Sequence, residues 1–126
     1  YKKTLNDANT ALADSIWQPG PKTSMVHPRG EDIGWENIRQ HFYIDRLQKL
    51  YTERHFEFCD LDIEVYRDTA IAIYTWNFHG KLRSDGTEIE HKGRTSQTYR
   101  RMSQEGWKIL HAHISGMPIA NERQPI

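Results

Sequence analysis

Residues 56–82 read FEFCDLDIEVYRDTAIAIYTWNFHGKL and carry the clearest structural signal in the chain. Between positions 61 and 65 apolar residues alternate with acidic ones, which is the period of a strand with one face towards a core. After a turn at Arg67-Asp68, residues 69–82 are rich in β-branched and aromatic side chains and predict a second, longer strand. Together the two runs predict an antiparallel hairpin.

The sheet is expected to continue beyond this hairpin. Ser84-Asp85-Gly86 is a strong turn signal, so residues 89–102 are predicted to return as a further strand. Gln104-Glu105-Gly106 turns the chain again, and residues 107–115 form the last strand. The tail, residues 116–126, carries two prolines and is expected to lie extended over the surface.

The first part of the chain has helical character. Residues 2–17 repeat apolar side chains at helical spacing, and Gln18-Pro19-Gly20-Pro21 ends this helix because proline cannot continue its hydrogen bonds. A short strand is predicted at residues 23–27. A second helix is predicted from about Gly34-Trp35 to about Tyr51. Helices followed by a run of strands predict the α+β class, with the helices on one face of the sheet.

Composition limits the function classes. A chain of 126 residues fits one domain, 1–126. Seventeen basic residues balance seventeen acidic ones without a basic stripe, so no nucleic-acid partner is predicted. No apolar stretch approaches the roughly 20 residues of a membrane span, so no membrane partner is predicted either. Cys59 is the single cysteine, which excludes an intrachain disulfide and favours a reducing, cytoplasmic location.

Several stretches resemble a known family. The segments HPRG (27–30) and GWENI (34–38) resemble the strand-to-helix junction of SnoaL-like domains, which belong to the nuclear transport factor 2-like superfamily. GRT (93–95) followed by YRR (99–101) resembles their penultimate strand, and GWKILHAHIS (106–115) resembles their last strand. In this order the segments extend over nearly the whole chain.

The end of the last strand resembles one particular member of this superfamily. Paired histidines followed by Ser115-Gly116-Met117-Pro118 are similar to the end of the association domain of calcium/calmodulin-dependent protein kinase II. The resemblance implies a cone-shaped, curved antiparallel sheet wrapped around the N-terminal helices and a pocket inside the cone. It also implies homodimers or higher homo-oligomers formed through the sheets. Ile114 departs from a common form of the kinase domain, which carries a pocket arginine there.

Two histidines mark the last strand. Simple alternation places His111 and His113 on one face together with Trp107 and Ile109. Two imidazoles at i and i+2 hold a metal ion only with a third ligand from elsewhere, and none stands at a recognisable spacing. The sequence therefore predicts no metal site and no cofactor. The favoured interpretation is that the histidines lie at a dimer interface or form hydrogen bonds within the sheet.

Other residues are candidates for the pocket. His27, His113 and Tyr99 are the candidates for proton transfer. Arg94 could anchor an acidic ligand if its side chain enters the cone, or pair with neighbouring carboxylates if it faces outward. Arg29 beside His27 offers the same two alternatives. The side chains expected to contact a ligand, besides Arg94, are Trp35, Tyr43, Trp76 and Tyr99.

Three functions fit these patterns. The leading hypothesis is a dimeric pocket domain that binds a small, acidic or aromatic molecule. The first alternative is an acid–base enzyme, an isomerase, dehydratase or cyclase similar to ketosteroid isomerase, although the Asp/Tyr constellation of that enzyme has no matching residues here. The second alternative is an oligomerisation module like the kinase association domain. The superfamily includes all three, so the site must decide between them.

Overall fold

The computed structural model describes residues 1–117, so the expected tail lies outside the described residues from position 118 onward. The elements in chain order are α1 (Lys2–Asn6), α2 (Thr10–Ile16), β1 (Ser24–His27), β2 (Gly30–Ile33), α3 (Trp35–Ile38), a π-helical segment (Arg39–Gln48), β3 (Tyr51–Tyr66), β4 (Thr69–Leu82), β5 (Glu88–Met102) and β6 (Gly106–Gly116). No helix in this part of the chain has the length and apolar content needed to cross a membrane.

The six strands form one curved sheet in the order β2-β1-β6-β5-β4-β3. All neighbours are antiparallel except β1 and β6, which run parallel. The helices pack on the inner face of this sheet, which confirms the α+β class and the cone. Strand β2 is an addition to the prediction. It forms because Pro28-Arg29 makes a two-residue turn and Gly30, at φ 134°, takes a backbone conformation that suits glycine.

A bulge in β6 sets which side chains face inward. Thr98 pairs with His111, whereas the next residue, Tyr99, pairs with Ile109, so Leu110 is an extra residue on β6. Ile109 is fully buried on the inner face, and His111 and His113 lie on the outer face. The prediction that these histidines share a face with Ile109 was wrong, because a bulge interrupts the alternation of successive side chains between the two faces of the sheet.

The first predicted helix is broken in two. Ala8 has φ 47°, outside the right-handed helical region, and α1 ends just before it. Asn9 then starts α2 as a true N-cap, because its side-chain oxygen accepts a hydrogen bond of 2.9 Å from the Leu12 backbone N–H. The apolar spacing of residues 2–17 is therefore shared by two short helices that bend around the core.

The second helix follows its predicted course with a different winding. α3 continues directly into the π-helical segment, in which each turn contains more residues than in an α-helix. Ile38, Phe42 and Leu47 are spaced by four and then five residues, which suits this wider turn, and all three face the interior.

The hydroxyl of Tyr43 joins the helices. Tyr43 is fully buried; its hydroxyl accepts a hydrogen bond of 3.0 Å from Trp17 Nε1 and shares another of 2.9 Å with Thr4 Oγ1. The indole of Trp17 stacks on that of Trp35 with ring centroids 5.5 Å apart. Burial raises the pKa of Tyr43 to about 12, so this hydroxyl stays protonated and able to donate.

The edge strand β3 holds the helical layer from the side. The Arg54 guanidinium donates to the carbonyl oxygens of Leu47 and Tyr51, each at 2.8 Å, and to that of Asn6 at 3.2 Å. The Phe56 backbone N–H donates to the side-chain oxygen of Asn6 at 2.7 Å. These bonds fix the ends of α1 and of the π-helical segment beside the sheet.

We expect Gly93→Ala to destabilise the fold by about 1–3 kcal/mol, the usual result of overpacking a core. A Cβ at this position would collide with the Trp76 indole and the Ser115 carbonyl oxygen. A Cβ at Gly116, which pairs directly with Gly93, would have no atom within 4 Å. Gly116→Ala is therefore the matched control, and equal unfolding free energies for the two variants in urea would contradict this packing.

Candidate functional site

A cavity of about 360 Å³ lies between the helices and the inner face of the sheet. Its walls are mainly aromatic, and the rings come from Tyr1, the π-helical segment, β3 and β4. Besides Tyr1, these rings are Phe42, Tyr51, Phe56, Phe58, Tyr74, Trp76 and Phe78. A pocket with this volume and lining suits a small apolar or aromatic molecule.

The aromatic rings hold each other in place. Phe56 and Phe78 have centroids 4.6 Å apart, and Phe58 stacks on Tyr74 at 4.5 Å. The Trp76 indole N–H donates a hydrogen bond of 3.0 Å to Thr95 Oγ1 on the neighbouring strand. The wall is therefore formed before any ligand enters, which lowers the entropic cost of binding.

The mouth of the cavity is basic. Arg29 and Arg46 line it together with His27 and His91, and no carboxylate is among the described lining residues. Within residues 1–117 neither guanidinium group forms an ion pair. Partial burial and, next, the nearby charge of Arg29 lower the pKa of Arg46. The guanidinium groups of Arg29 and Arg46 therefore lie near each other, and no carboxylate among the described residues pairs with either of them.

The buried carboxylate of Asp32 contacts His27. His27 Nε2 donates to Asp32 Oδ2 at 3.0 Å, and His41 Nδ1 donates to Asp32 Oδ1 at 2.7 Å. The His27 Nδ1 atom accepts from the Arg29 backbone N–H at 3.3 Å. The side chain of Asp32 is only 10% exposed, and that of His41 is 55% exposed. The three side chains form a chain from the cavity mouth to solvent.

Deep in the cone the polar groups are buried. The Tyr99 hydroxyl donates to Gln97 Oε1 at 2.7 Å, while Gln97 Nε2 and the Tyr74 hydroxyl have no hydrogen-bond partner among the described residues. Burial raises the pKa of Tyr99 to about 12, and that of Tyr74 even further. These phenols are therefore neutral donors at physiological pH.

Residues 1–117 contain no group of three or more histidine, cysteine, aspartate or glutamate side chains that converges on a metal position. Asp32 and its two histidines are engaged with each other instead.

Comparison with known protein families supplies the identification. The family model described as SnoaL-like domain matches residues 1–120. The chain belongs to the SnoaL-like domain family. No curated protein sequence matches it significantly.

Solved structures place this SnoaL-like domain in the nuclear transport factor 2-like superfamily. A superfamily protein from Salmonella enterica subsp. enterica serovar Typhimurium str. LT2 is 31% identical, with a TM-score of 0.92 over 97% of this chain and 86% of that one. Hexachlorocyclohexane dehydrochlorinase LinA-type3 from Novosphingobium barchaimii LL02 is 15% identical, with a TM-score of 0.75 over 99% and 86% of the two chains. The CaMKII hub of S. rosetta is 17% identical, with a TM-score of 0.73 over 91% and 87%. The last two likenesses concern the fold alone.

The cavity of the SnoaL-like domain contains some of the residues expected from the sequence. His27 and Trp76 line it. Trp35 and Tyr43 are instead buried between the helices, where the Trp35 indole donates to Asp14 at 2.9 Å. Tyr99 is half-buried, and its hydroxyl is engaged by Gln97. The expected placement of Trp35 and Tyr43 against a ligand is corrected because the helix-to-helix contacts use both rings.

Arg94 and His113 lie on the other side of the sheet. Gly93 and Thr95 face inward, so the side chain of Arg94 between them projects outward and is exposed. His113 is exposed opposite Ser96 on the same outer face because of the bulge at Leu110. The expected placement of both residues in the pocket is therefore corrected.

Two charged residues of the site, Arg46 and Asp32, were missed by sequence reasoning. Arg46 follows Phe42 by one helical turn and enters the cavity beside it, a spacing that could have been noticed. Asp32 reaches His27 only because of the unexpected hairpin of β1 and β2. No local pattern in the sequence indicates the position of Asp32.

We expect His27 to carry its proton on Nε2, because Nδ1 accepts from a backbone N–H and Nε2 faces the Asp32 carboxylate. Long-range ¹H–¹⁵N correlation spectra of the neutral ring identify the tautomer. Asp32→Ala should give a mixture of tautomers, whereas Asp45→Ala, which removes an exposed carboxylate of the adjacent groove, should not. A wild-type spectrum with the proton on Nδ1 would contradict this geometry.

Proposed function

We propose that this domain binds a small aromatic or apolar carboxylic acid in its cavity. The observation that carries the proposal is the combination of an aromatic wall with a mouth that holds Arg29 and Arg46 and no described carboxylate. An aromatic acid has the same division into an apolar body and one anionic end. The body would lie against Phe56 and Trp76, and the carboxylate would lie at the mouth.

Electrostatics favour an anion at this mouth. Two guanidinium groups close enough to lower a pKa repel each other, and a bound carboxylate relieves that repulsion. Arginine presents a planar fork that matches both carboxylate oxygens. Partial burial of Arg46 strengthens the interaction because water competes less well there. The cavity thus offers a specific place for the charge as well as for the ring.

The binding test uses 2-naphthoate and its uncharged analogue 2-naphthamide, titrated by calorimetry. We expect the wild type to bind the acid more tightly than the amide. Arg46→Gln should weaken binding of the acid by roughly 10- to 150-fold, the loss of one hydrogen bond to a charged group. It should leave binding of the amide nearly unchanged, because the amide carries no charge for Arg46 to hold.

Arg94→Gln is the matched control, since Arg94 is exposed on the opposite face of the sheet. It should leave the affinity for both probes unchanged. Equal affinities of the wild type for acid and amide, or an Arg94 effect as large as that of Arg46, would overturn the proposal.

A second function is favoured by the carboxylate behind His27. A histidine that lines a cavity and is oriented by a buried Asp32 has the arrangement of a general base. Its Nδ1 atom would take the proton once the 3.3 Å hydrogen bond from the Arg29 N–H opens, and the Asp32 carboxylate would stabilise the imidazolium that forms. We infer that the pocket supports proton abstraction from an acidic carbon of a bound acid, as in an isomerase or dehydratase.

The proton-abstraction test follows the exchange of benzylic hydrogen of phenylpyruvate for deuterium by NMR in D₂O. We expect the wild type to accelerate exchange and His27→Gln to reduce it to the uncatalysed rate. His113→Gln should behave as the wild type, because that imidazole lies on the outer face. Wild-type exchange at the uncatalysed rate would leave the domain as a binding pocket and exclude this activity on this class of acid.

We also infer that the domain forms a homodimer through the outer face of its sheet. Ile71 and Ile73 on β4 are 40% and 53% exposed there, although isoleucine is among the residues most often buried in proteins. The helices cover only the inner face, so a second copy packed on the outer face would cover these side chains.

A further inference from the structure

The cavity has an inner end as well as a mouth. Phe78 and His91 pair directly near the mouth, Tyr74 and Thr95 pair directly further along β4 and β5, and all four residues line the cavity. His91 and Thr95 are four residues apart, so the two ends are separated by roughly 13 Å along the strand. A ligand with its charge at the mouth therefore places its other end among a different set of residues.

Two polar groups at the inner end lack partners. Tyr74 is only 4% exposed, and its hydroxyl has no hydrogen-bond partner within residues 1–117. Gln97, which is 2% exposed, is the next inward-facing residue after Thr95 on β5, and its Nε2 also has no described partner. Buried donors are nearly always paired in native proteins, so these two indicate a place where another molecule supplies the partner.

The acceptor atoms of the neighbouring side chains are already engaged. Gln97 Oε1 accepts from the Tyr99 hydroxyl at 2.7 Å, and Thr95 Oγ1 accepts from Trp76 Nε1 at 3.0 Å. The groups left over are the Tyr74 O–H and the N–H groups of the Gln97 amide. A ligand atom that accepts would pair with them, whereas a ligand donor would leave the Tyr74 hydrogen without an acceptor.

The surroundings of these donors favour a neutral acceptor. Phe58 stacks on Tyr74 with ring centroids 4.5 Å apart, and the ring of Tyr1 lies 6.1 Å from that of Phe58. None of these side chains is charged, and burial raises the pKa of Tyr74, so its hydroxyl stays protonated. A second carboxylate would lose its hydration here without meeting a cation, which is costly. A carbonyl oxygen or an unprotonated ring nitrogen avoids that cost.

We propose that the Tyr74 hydroxyl determines ligand specificity by donating a hydrogen bond to a neutral acceptor at the inner end of the ligand. The ligand class is then an aromatic acid with a carbonyl oxygen or ring nitrogen opposite its carboxylate. This inference rests on the acid binding proposed above and adds a second polar end to the ligand. The Gln97 amide offers a second donor when the acceptor is an oxygen with two lone pairs.

The test extends the calorimetric titration to four probes. Isoquinoline-6-carboxylate has the shape of 2-naphthoate with one ring nitrogen opposite the carboxylate, and isoquinoline-6-carboxamide matches 2-naphthamide in the same way. With the nitrogen unprotonated, both isoquinolines should bind the wild type roughly 2- to 12-fold more tightly than their naphthalene counterparts, the range of one neutral hydrogen bond. An inner end without a free donor would reverse the order, because the nitrogen would lose its water for nothing.

Tyr74→Phe removes only the hydroxyl and should abolish the preference for the isoquinolines, while the affinity for 2-naphthoate stays nearly unchanged. The variant should fold, because that hydroxyl forms no described hydrogen bond. Tyr66→Phe is the matched control, since Tyr66 lies at the end of β3 and is 59% exposed. It should keep the wild-type preference.

The four probes separate this inference from the binding mode on which it rests. Acids and amides compare the charge at the mouth, and isoquinolines and naphthalenes compare the acceptor at the inner end. Equal or weaker wild-type binding of both isoquinolines, or a preference that persists in Tyr74→Phe, would overturn the role of Tyr74 and leave the mouth standing. Equal affinities for acid and amide with the nitrogen preference intact would overturn the mouth alone. A wild type that binds none of the four would overturn both.

Discussion

The cavity depends on the hydrogen bonds of one buried hydroxyl. Tyr43 Oη joins Thr4 of α1 and Trp17 at the end of α2 to the π-helical segment, so the three pieces form one rigid layer. A buried hydroxyl without these partners would cost about 1–3 kcal/mol, so the layer is held in one arrangement. Because Arg54 also fixes this layer to the edge strand, the helices cannot sink onto the middle of the sheet. The space beneath them stays open.

The regular part of the fold follows from sequence periodicity, and the irregular part does not. Alternation and turn residues predict the strands of the back half, because turns such as Ser84-Asp85-Gly86 impose their geometry locally. The bulges at Leu110 and around Asp60, which has φ 54°, are set by how strands curve against the helices. A single extra residue reverses the face of every side chain that follows. The break at Ala8 is also set by packing, because the apolar spacing of residues 2–17 fits one long helix as well as two short ones.

The site was harder to predict than the fold because it joins distant elements. Arg94 was a reasonable candidate, since a charge in mid-strand needs a partner or solvent, and the structure gives it solvent. Arg46 performs the role expected of Arg94 in the proposed binding mode, but it reaches the mouth from a helix. Its position depends on the winding of the π-helical segment. Asp32 depends on a four-residue strand whose acidic composition does not favour a strand.

The bulge at Leu110 links the two faces of the sheet. Without it, Ile109, His111 and His113 would all face inward, and two imidazoles would stand where Ala112 and Ile114 now do. Ala112 instead packs into the core and Ile114 lines the cavity, so the inner wall remains apolar. The same irregularity places both imidazoles on the outer face, in register with the carboxylates of β3. One extra residue thus gives the inside of the cone its apolar wall and the outside its two imidazoles, which is why the two surfaces cannot vary independently.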